Sequence, residues 1–193
     1  MRDESAIIES LHYLLKKLQH ADKLKLVKLL FFADKYHLLK YARQISGDNY
    51  HALPAGPIPS GALDILNFVS EYGISAHTIQ QAKNLFKVED NDRSLINPEL
   101  EMEYNSLSKT DIEALDFVID RFKDKDGPFL IDYSHDFPEW YRHETEIRDG
   151  VVKCKDINTF ELLSNEDRKG QKFIIDLRDE KINTIKEILA GYY

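Results

Sequence analysis

The segment from Lys25 to Leu66 constrains the fold more than any other part of the chain. Its first half places apolar residues around most of a helical circumference, which is typical of a central helix. Asp22 precedes this helix, and we expect it to cap the first turn, because a carboxylate accepts orphan backbone N–H groups. A single narrow ridge of the helix is polar and carries Lys25, Lys28 and Lys35. We expect this ridge to be the solvent-exposed side.

The pattern changes after Tyr41. Ser46 to Asp48 predicts a turn, since glycine takes positive φ without strain and the side chains of serine and aspartate hydrogen-bond to nearby backbone groups. Tyr50 to Leu53 alternates weakly, as a short extended segment does. Gly56 to Pro59 predicts a stiff loop, because its two prolines fix φ. This loop could hold a partner, although a simple connection is the favoured interpretation; Ser60 to about Tyr72 then predicts a capped helix.

The rest of the chain predicts further helices and a few short strands. We expect helices at about Ser5–Gln19, Ser75–Ala82, Leu107–Phe122 and Arg178–Leu189. We also expect a hairpin over Leu85–Ile96 with its turn at Asp90–Arg93, and a strand at Val151-Val152. The aromatic stretch Tyr133–Trp140 predicts a loop, from which a helix capped by Asp136 or Ser134 could start near Pro138. No repeat or domain boundary is evident. The fold class is therefore mainly α, with residues 1–193 forming one compact helical domain that carries one or two short β-hairpins.

Two blocks of residues resemble a known family. The pieces are Lys28-Leu29-Leu30, Phe32-Ala33, Tyr36-His37, Tyr41, Gly47-Asp48-Xaa-Tyr50, Gly56-Pro57-Ile58-Pro59 and Asp64-Ile65-Leu66, followed by Leu107–Phe122, Ser134-His135 and Pro138-Glu139-Trp140. In this order they resemble the Panacea domain, the SocA-like antitoxin domain that also occurs in phage-associated proteins of the GepA type. The family-like core spans about residues 24–143.

The resemblance implies a protein that inhibits a cognate toxin by direct contact, with the toxin encoded by an adjacent gene. It also leaves open a proteolytic adaptor that delivers a toxin to a protease. The candidate partner-binding residues are Lys28, Lys35, Tyr50, Gly56, Pro57, Ile58, Pro59, Phe137, Trp140 and Tyr141. The residues of the family motif that we expect to be structural are Asp34, His37, Gly47, Asp48, Asp64 and His135. For Phe137, Trp140 and Tyr141, packing in the core is favoured over partner contact.

Charge and cysteine content narrow the classes of protein. Residues 1–43 carry nine Lys and Arg against five Asp and Glu, whereas the remainder carries 17 against 29, which gives the chain its net charge of −8. An acidic body repels nucleic acid and attracts a basic partner, such as an RNA-directed toxin. The single cysteine, the lack of a secretory signal and the lack of a membrane-spanning apolar run indicate a cytoplasmic location.

Enzymatic and metal-binding alternatives find little support in the motifs. Asp34 and His37 lie three residues apart on one helix and could be the acid–base pair of a small hydrolase, but no nucleophile accompanies them, so a structural role is favoured. His135, Asp136 and His143 fit no common zinc spacing. Nucleotide-binding glycine motifs are missing, so we expect no cofactor. A DNA-binding regulator that uses the lysine ridge is the least favoured alternative.

Overall fold

The central helix predicted by the sequence is the longest helix in the described part of the chain. The structure is a computed structural model and describes residues 2–89, 94–96 and 101–191. This helix, α2, spans Lys23–Tyr41 and is buried over most of its length. Asp22 caps it by accepting a hydrogen bond from the backbone N–H of Lys25 at 2.7 Å, as predicted. At the other end, Ala42 closes the helix in the left-handed conformation.

Short helices and strands surround α2, so that the fold is mainly α with short strands, as predicted. Over the described residues the helices are α1 (Glu4–Leu18), α2 (Lys23–Tyr41), α3 (Ser60–Asn67), α4 (Ala76–Leu85), α5 (Lys109–Phe122), α6 (Gly127–His135), α7 (Pro138–Tyr141), α8 (Glu144–Arg148) and α9 (Asp179–Ala190), with a 3₁₀ turn at Thr159–Leu162. The strands are β1 (His20–Asp22), β2 (Tyr50–Leu53), β3 (Gly56–Pro59), β4 (Lys87–Glu89), β5 (Ser94–Ile96) and β6 (Lys155–Ile157).

The strands form two antiparallel three-stranded sheets, in the orders β1-β5-β4 and β3-β2-β6. The pairing of β4 with β5 confirms the second hairpin, while its predicted turn at Asp90–Arg93 lies outside the described residues. The prediction of a loop at Gly56–Pro59 is wrong: this segment is strand β3, paired with β2. Proline is tolerated there because β3 is an edge strand. The strand predicted at Val151-Val152 is also wrong, since the strand that pairs with β2 begins at Lys155.

The helix boundaries confirm some capping predictions and correct others. Ser108 and Asp111 form the reciprocal capping box of α5. Ser60 is the first residue of α3 rather than its cap, and α3 ends at Asn67, where Phe68 takes a φ of 58°. The aromatic stretch predicted as a loop contains the end of α6, and α7 begins at Pro138 as predicted, although neither Asp136 nor Ser134 is its cap. The sequence signal for α6 is Asp126 followed by Pro128. Asp126 caps the helix by accepting a hydrogen bond from the backbone N–H of Phe129, and Pro128 lies in the first turn, where proline is tolerated.

An aromatic cluster joins α2 to the C-terminal part of the chain. The ring of Phe32 lies 5.0 Å from Phe122, 5.4 Å from Tyr133 and 5.8 Å from Phe173, measured between centroids. Helices α2, α5 and α6 and the segment before α9 therefore meet at one point. This packing fixes the elements that line the clefts described below.

Candidate partner-binding site

Strand β3 is held from behind by a buried lysine. The Lys28 Nζ donates hydrogen bonds to the backbone oxygen of Pro57 at 3.0 Å and to Ser134 Oγ at 3.1 Å. Burial lowers the pKa of Lys28 well below its usual value, because the described residues around the amine supply neutral acceptors. Gly56 has a φ of +93°, and a Cβ there would contact the Lys28 amine and lie 2.5 Å from Ser134 Oγ. The strand position therefore requires glycine.

The prediction that the lysine ridge faces solvent is wrong for Lys28 and Lys35, since both side chains are fully buried. The Lys35 Nζ donates to Glu139 Oε1 at 2.7 Å and to the backbone oxygen of Leu162 at 3.2 Å. Burial lowers the pKa of Lys35 and raises that of Glu139, and each charge opposes the shift of the other. The second carboxylate oxygen of Glu139 has no hydrogen-bond partner among the described residues. Both lysines support the interior in this conformation.

Asp34 and His37 do not face each other. The Asp34 carboxylate accepts hydrogen bonds from the backbone N–H of Ile45 at 2.6 Å and of Ser46 at 3.0 Å, and from the hydroxyls of Ser46 and Tyr50. Burial raises the pKa of Asp34 to about 6, and the four donors limit that rise. The carboxylate therefore joins α2 to the turn that follows it, and its structural role stays a prediction.

His37 lies against α5 instead. Its Nδ1 is 2.7 Å from the backbone oxygen of Arg43, and its Nε2 is 3.0 Å from Thr110 Oγ1 and 3.1 Å from Asp111 Oδ1. Burial lowers the pKa of this histidine, while the hydrogen bond to Arg43 and the nearby Asp111 carboxylate oppose that shift. The two side chains proposed for a hydrolase therefore join different parts of the fold and do not converge on one cleft.

The remaining family-motif residues build the turn and the start of α3. Gly47 has a φ of 56°, which a turn at this point requires. The Asp48 carboxylate accepts from the backbone N–H groups of Gly61 at 3.1 Å and Ala62 at 3.0 Å, and from Arg2 Nε at 2.8 Å. Asp48 thus performs the capping that the sequence assigned to Ser60. Asp64 accepts the backbone N–H of Tyr72 at 2.7 Å.

Most of the predicted contact aromatics lie inside the protein. Tyr50, Phe137 and Trp140 are buried, and among these aromatics only Tyr141, at 37% exposure, reaches the surface. The aliphatic Ile58 is 4% exposed. The Trp140 ring stacks on His135 at a centroid distance of 3.5 Å, and its Nε1 donates to the backbone oxygen of Leu53 at 2.7 Å.

His135 is part of the same support. Its pKa falls to about 4, chiefly because the ring is buried and also because Lys28 lies nearby. These groups pack behind the β2–β3 hairpin and rigidify it.

The front of the same hairpin lines an open apolar cleft of about 570 Å³, which we call the apolar cleft. Its apolar lining residues are Leu24, Val27, Leu53, Ala55, Ile58, Leu63 and Pro128, and Asp22 and Lys23 also line it. The N-terminus of α6 closes one end, where Gly127 lies so near Leu24 that a Cβ would be 3.1 Å from its Cδ2. Among these residues the sequence pointed only to Ile58. The missed signal was the start of α6, where Asp126 is a typical cap and Pro128 a typical first-turn residue.

The family to which the chain belongs follows from comparison with family models. The model of the antitoxin SocA-like, Panacea domain matches residues 26–141. Because this range covers more than half of the chain, the protein belongs to the SocA-like Panacea family. A search of curated proteins and a search of solved structures each gave no match. The family match includes most of the lining of the apolar cleft.

Two further findings concern other kinds of site. Within residues 2–89, 94–96 and 101–191, no group of three or more His, Cys, Asp or Glu side chains is arranged to hold a metal ion. Over the same ranges, no helix combines the length and the apolar character needed to cross a bilayer.

Proposed function

We propose that this protein is an antitoxin that neutralises a cognate protein toxin by direct binding. The observation that carries the proposal is the family match over residues 26–141. The toxin would be the product of an adjacent gene, and both proteins would act in the cytoplasm. An exposed, unpaired Cys154 is compatible with such a reducing compartment.

The apolar cleft is the contact surface that the geometry favours. Its lining is almost wholly apolar, and an exposed apolar surface of this kind is typical of a site that binds another protein. The hairpin that forms one wall is fixed from behind by Lys28 and Trp140. A wall that is already rigid loses little conformational entropy when a partner binds, which favours tight association. Apolar side chains of the toxin would fill the cleft.

A non-enzymatic role is part of the proposal. The ionisable groups that attract attention in the sequence are committed to structural contacts: Asp34 accepts four hydrogen bonds and Lys28 holds the backbone of β3. Neither group lines the apolar cleft. Binding that blocks the toxin's own active surface would require no chemistry from this protein.

The test is co-expression with the product of the adjacent open reading frame. We expect that product to arrest growth, and the wild-type protein to restore growth and co-purify with it. Leu63→Glu places a charge in the apolar cleft and should abolish both effects. The matched control is Val69→Glu, which lies just beyond α3, is 38% exposed and does not line this cleft. Thermal unfolding of both variants would exclude a loss of fold.

The outcome also separates neutralisation from the adaptor mechanism. Growth rescue with a stable complex supports direct neutralisation. Rescue without a stable complex, and only in cells that contain the relevant protease, would instead assign an adaptor role. If growth is not restored at all, the antitoxin proposal is wrong for this pair.

A further inference from the structure

A second cleft, of about 510 Å³, opens between α2, α5 and the segment that leads into α9. One wall is formed by Tyr36 and Lys40 of α2 with Phe117 and Arg121 of α5, and the opposite wall runs from Phe173 to Lys181. We call it the cationic cleft. Its volume is within the range of sites that bind a small ligand or a few side chains of a partner.

Positive charge in the cationic cleft contrasts with the acidic character of the chain. Four cationic side chains line it against one acidic side chain, although the net charge of the whole chain is −8. Lys40 is neutralised by an ion pair with Glu113. Arg121, Arg178 and Lys181 have no carboxylate partner in the part of the chain that the structure describes. Uncompensated cations that share one concave surface attract an anionic group.

Arg121 is already held in a fixed position. Its guanidinium donates to the backbone oxygen of Phe173 at 2.5 Å and to the hydroxyl of Tyr133 at 2.9 Å. The guanidinium carbon also lies 5.4 Å from the centroid of the Phe173 ring. These contacts use only part of its five N–H donors. The charge is therefore preorganised, and little side-chain entropy remains to be lost when an anion binds.

The cationic cleft also offers apolar surface. The rings of Tyr36 and Phe117 stack at a centroid distance of 4.3 Å on one wall. On the other wall Ile175 is 79% exposed, the largest exposure among the exposed large hydrophobic residues in the described part of the chain. An exposed isoleucine beside uncompensated cations suits a ligand that combines carboxylates with apolar side chains.

We propose that the cationic cleft binds an acidic, partly apolar segment of the protein partner. Carboxylates of that segment would lie against Arg121, Arg178 and Lys181, and an apolar side chain would cover Ile175. This inference rests on the proposed function, because the partner is then the toxin. Nucleic acid is the less favoured occupant, since a polyphosphate would also approach the acidic remainder of the chain and would leave Ile175 uncovered.

The cationic cleft also accounts for partner choice. The family match ends at residue 141, so Tyr36 and Arg121 lie within it, whereas the wall from Phe173 to Lys181 lies beyond it. One wall is thus built by the family domain and the other by the C-terminal part of this chain. Charges on the second wall would select the partner and orient it, while the apolar cleft would supply affinity.

The first experiment measures fluorescence anisotropy with the full-length protein and three labelled probes. The probes are a short peptide of mixed Glu, Leu and Phe, its counterpart with Lys in place of Glu, and a single-stranded RNA oligonucleotide. We expect saturable binding of the acidic peptide that weakens as salt is added. Equal binding of the acidic and basic peptides, or tighter binding of the RNA, would overturn the proposal.

Two pairs of variants locate the binding. Arg178→Glu/Lys181→Glu should weaken binding of the acidic peptide by about tenfold or more, since two exposed ion pairs are lost and each charge reversal adds repulsion. Lys83→Glu/Lys153→Glu changes net charge equally, but neither residue lines the cationic cleft, so binding should change little. Equal weakening by the two double variants would mean that overall charge, and not the cleft, governs binding.

The apolar contribution is tested separately. Ile175→Ser should weaken binding severalfold, while Val151→Ser, at a position that is 72% exposed and outside the cleft, should have no effect. Neither change removes a core contact, so both variants should keep the wild-type thermal stability. If Ile175→Ser binds the peptide as the wild type does, the apolar part of the proposal is wrong.

Co-expression with the adjacent gene product distinguishes this inference from the proposed function. If the wild type restores growth and Arg178→Glu/Lys181→Glu does not, both the antitoxin function and the role of the cationic cleft are supported. If the wild type and this double variant restore growth equally, the antitoxin function stands and the cationic cleft is not its contact surface. If the wild type fails to restore growth while the acidic peptide still binds at the cationic cleft, the site stands and its occupant is not this toxin.

Discussion

Asp34 offers the sharpest test of how the family motif stabilises the fold. Replacement by alanine removes an acceptor that serves two backbone N–H groups and two hydroxyls. The hydroxyls of Ser46 and Tyr50 can rotate toward other acceptors, but the N–H groups of Ile45 and Ser46 cannot. A buried donor without a partner costs about 1–3 kcal/mol, so Asp34→Ala should lower the free energy of unfolding by about 3–5 kcal/mol. That is a large part of the stability of an ordinary domain.

Urea denaturation gives the measurement. We expect a lower midpoint for Asp34→Ala with an unchanged m-value, which indicates a change in stability rather than in compactness. Tyr50→Phe removes one donor and keeps the ring packed near Phe31, so its cost should be about 1 kcal/mol. Asp120→Ala, at an exposed position on α5, is the control and should change stability by less than about 0.5 kcal/mol.

The comparison can refute the reasoning in two ways. A loss below about 1 kcal/mol for Asp34→Ala would show that the buried donors find other partners. An Asp34→Ala variant that keeps wild-type stability but no longer neutralises the toxin would assign this carboxylate a functional role, and the structural interpretation would be wrong.

The structure makes three further predictions. Gly56→Ala should lower the free energy of unfolding by more than about 2 kcal/mol, since the new side chain meets both a positive φ and a clash. Gly73→Ala is the control: its φ is +84° but no atom lies close to the new Cβ, so it should cost about 1 kcal/mol. Equal losses in thermal unfolding would contradict the close packing at Gly56. Lys28→Met should change the pH dependence of stability. The pKa of Lys28 is lowered on folding, so between the folded and unfolded pKa values the unfolded chain binds one more proton than the folded chain. The stability of the wild type relative to the variant should therefore rise with pH, up to the unfolded pKa of about 10.5, by up to about 1.4 kcal/mol per pH unit. A flat difference in urea titrations would show that Lys28 stays charged. Lys35→Met should cost about 3–5 kcal/mol, and Lys35→Met/Glu139→Leu should recover most of the loss, unless the pair stabilises the fold on balance.

Capping residues in the sequence correctly predicted where helices begin when the cap bonds a nearby backbone group. Asp22 and Ser108 were correct caps because each bonds a backbone N–H three residues ahead. Long-range contacts decided what the sequence missed. The spacing of Lys28 and Lys35 predicted a solvent-exposed ridge. Both are buried because their partners Ser134 and Glu139, which lie more than 100 residues away in sequence, pack against them.

The sites show the same division. The structural role favoured for Asp34 rested on the lack of an accompanying nucleophile, and the backbone N–H groups that it binds lie only 11 and 12 residues ahead in sequence. Gly56–Pro59 was missed as a strand because its pairing partner, and not its own propensity, makes it one. The cationic cleft has no local signature, since its walls combine three segments that are far apart in the sequence. The net charge of −8 gives no indication of a cleft lined by cations.

The pairing of β6 with β2 has a consequence for how the chain can be shortened. Proline occupies two of the four positions in β3, so this edge strand has only half of the backbone N–H donors of an ordinary strand. The opposite edge is covered by Lys155–Ile157, which lies beyond the family match. A version of the chain that ends at residue 150 would keep the matched domain yet uncover β2 as a template for strand exchange. Self-association would then follow the loss of this strand together with core residues that lie beyond it, such as Leu162 and Phe173.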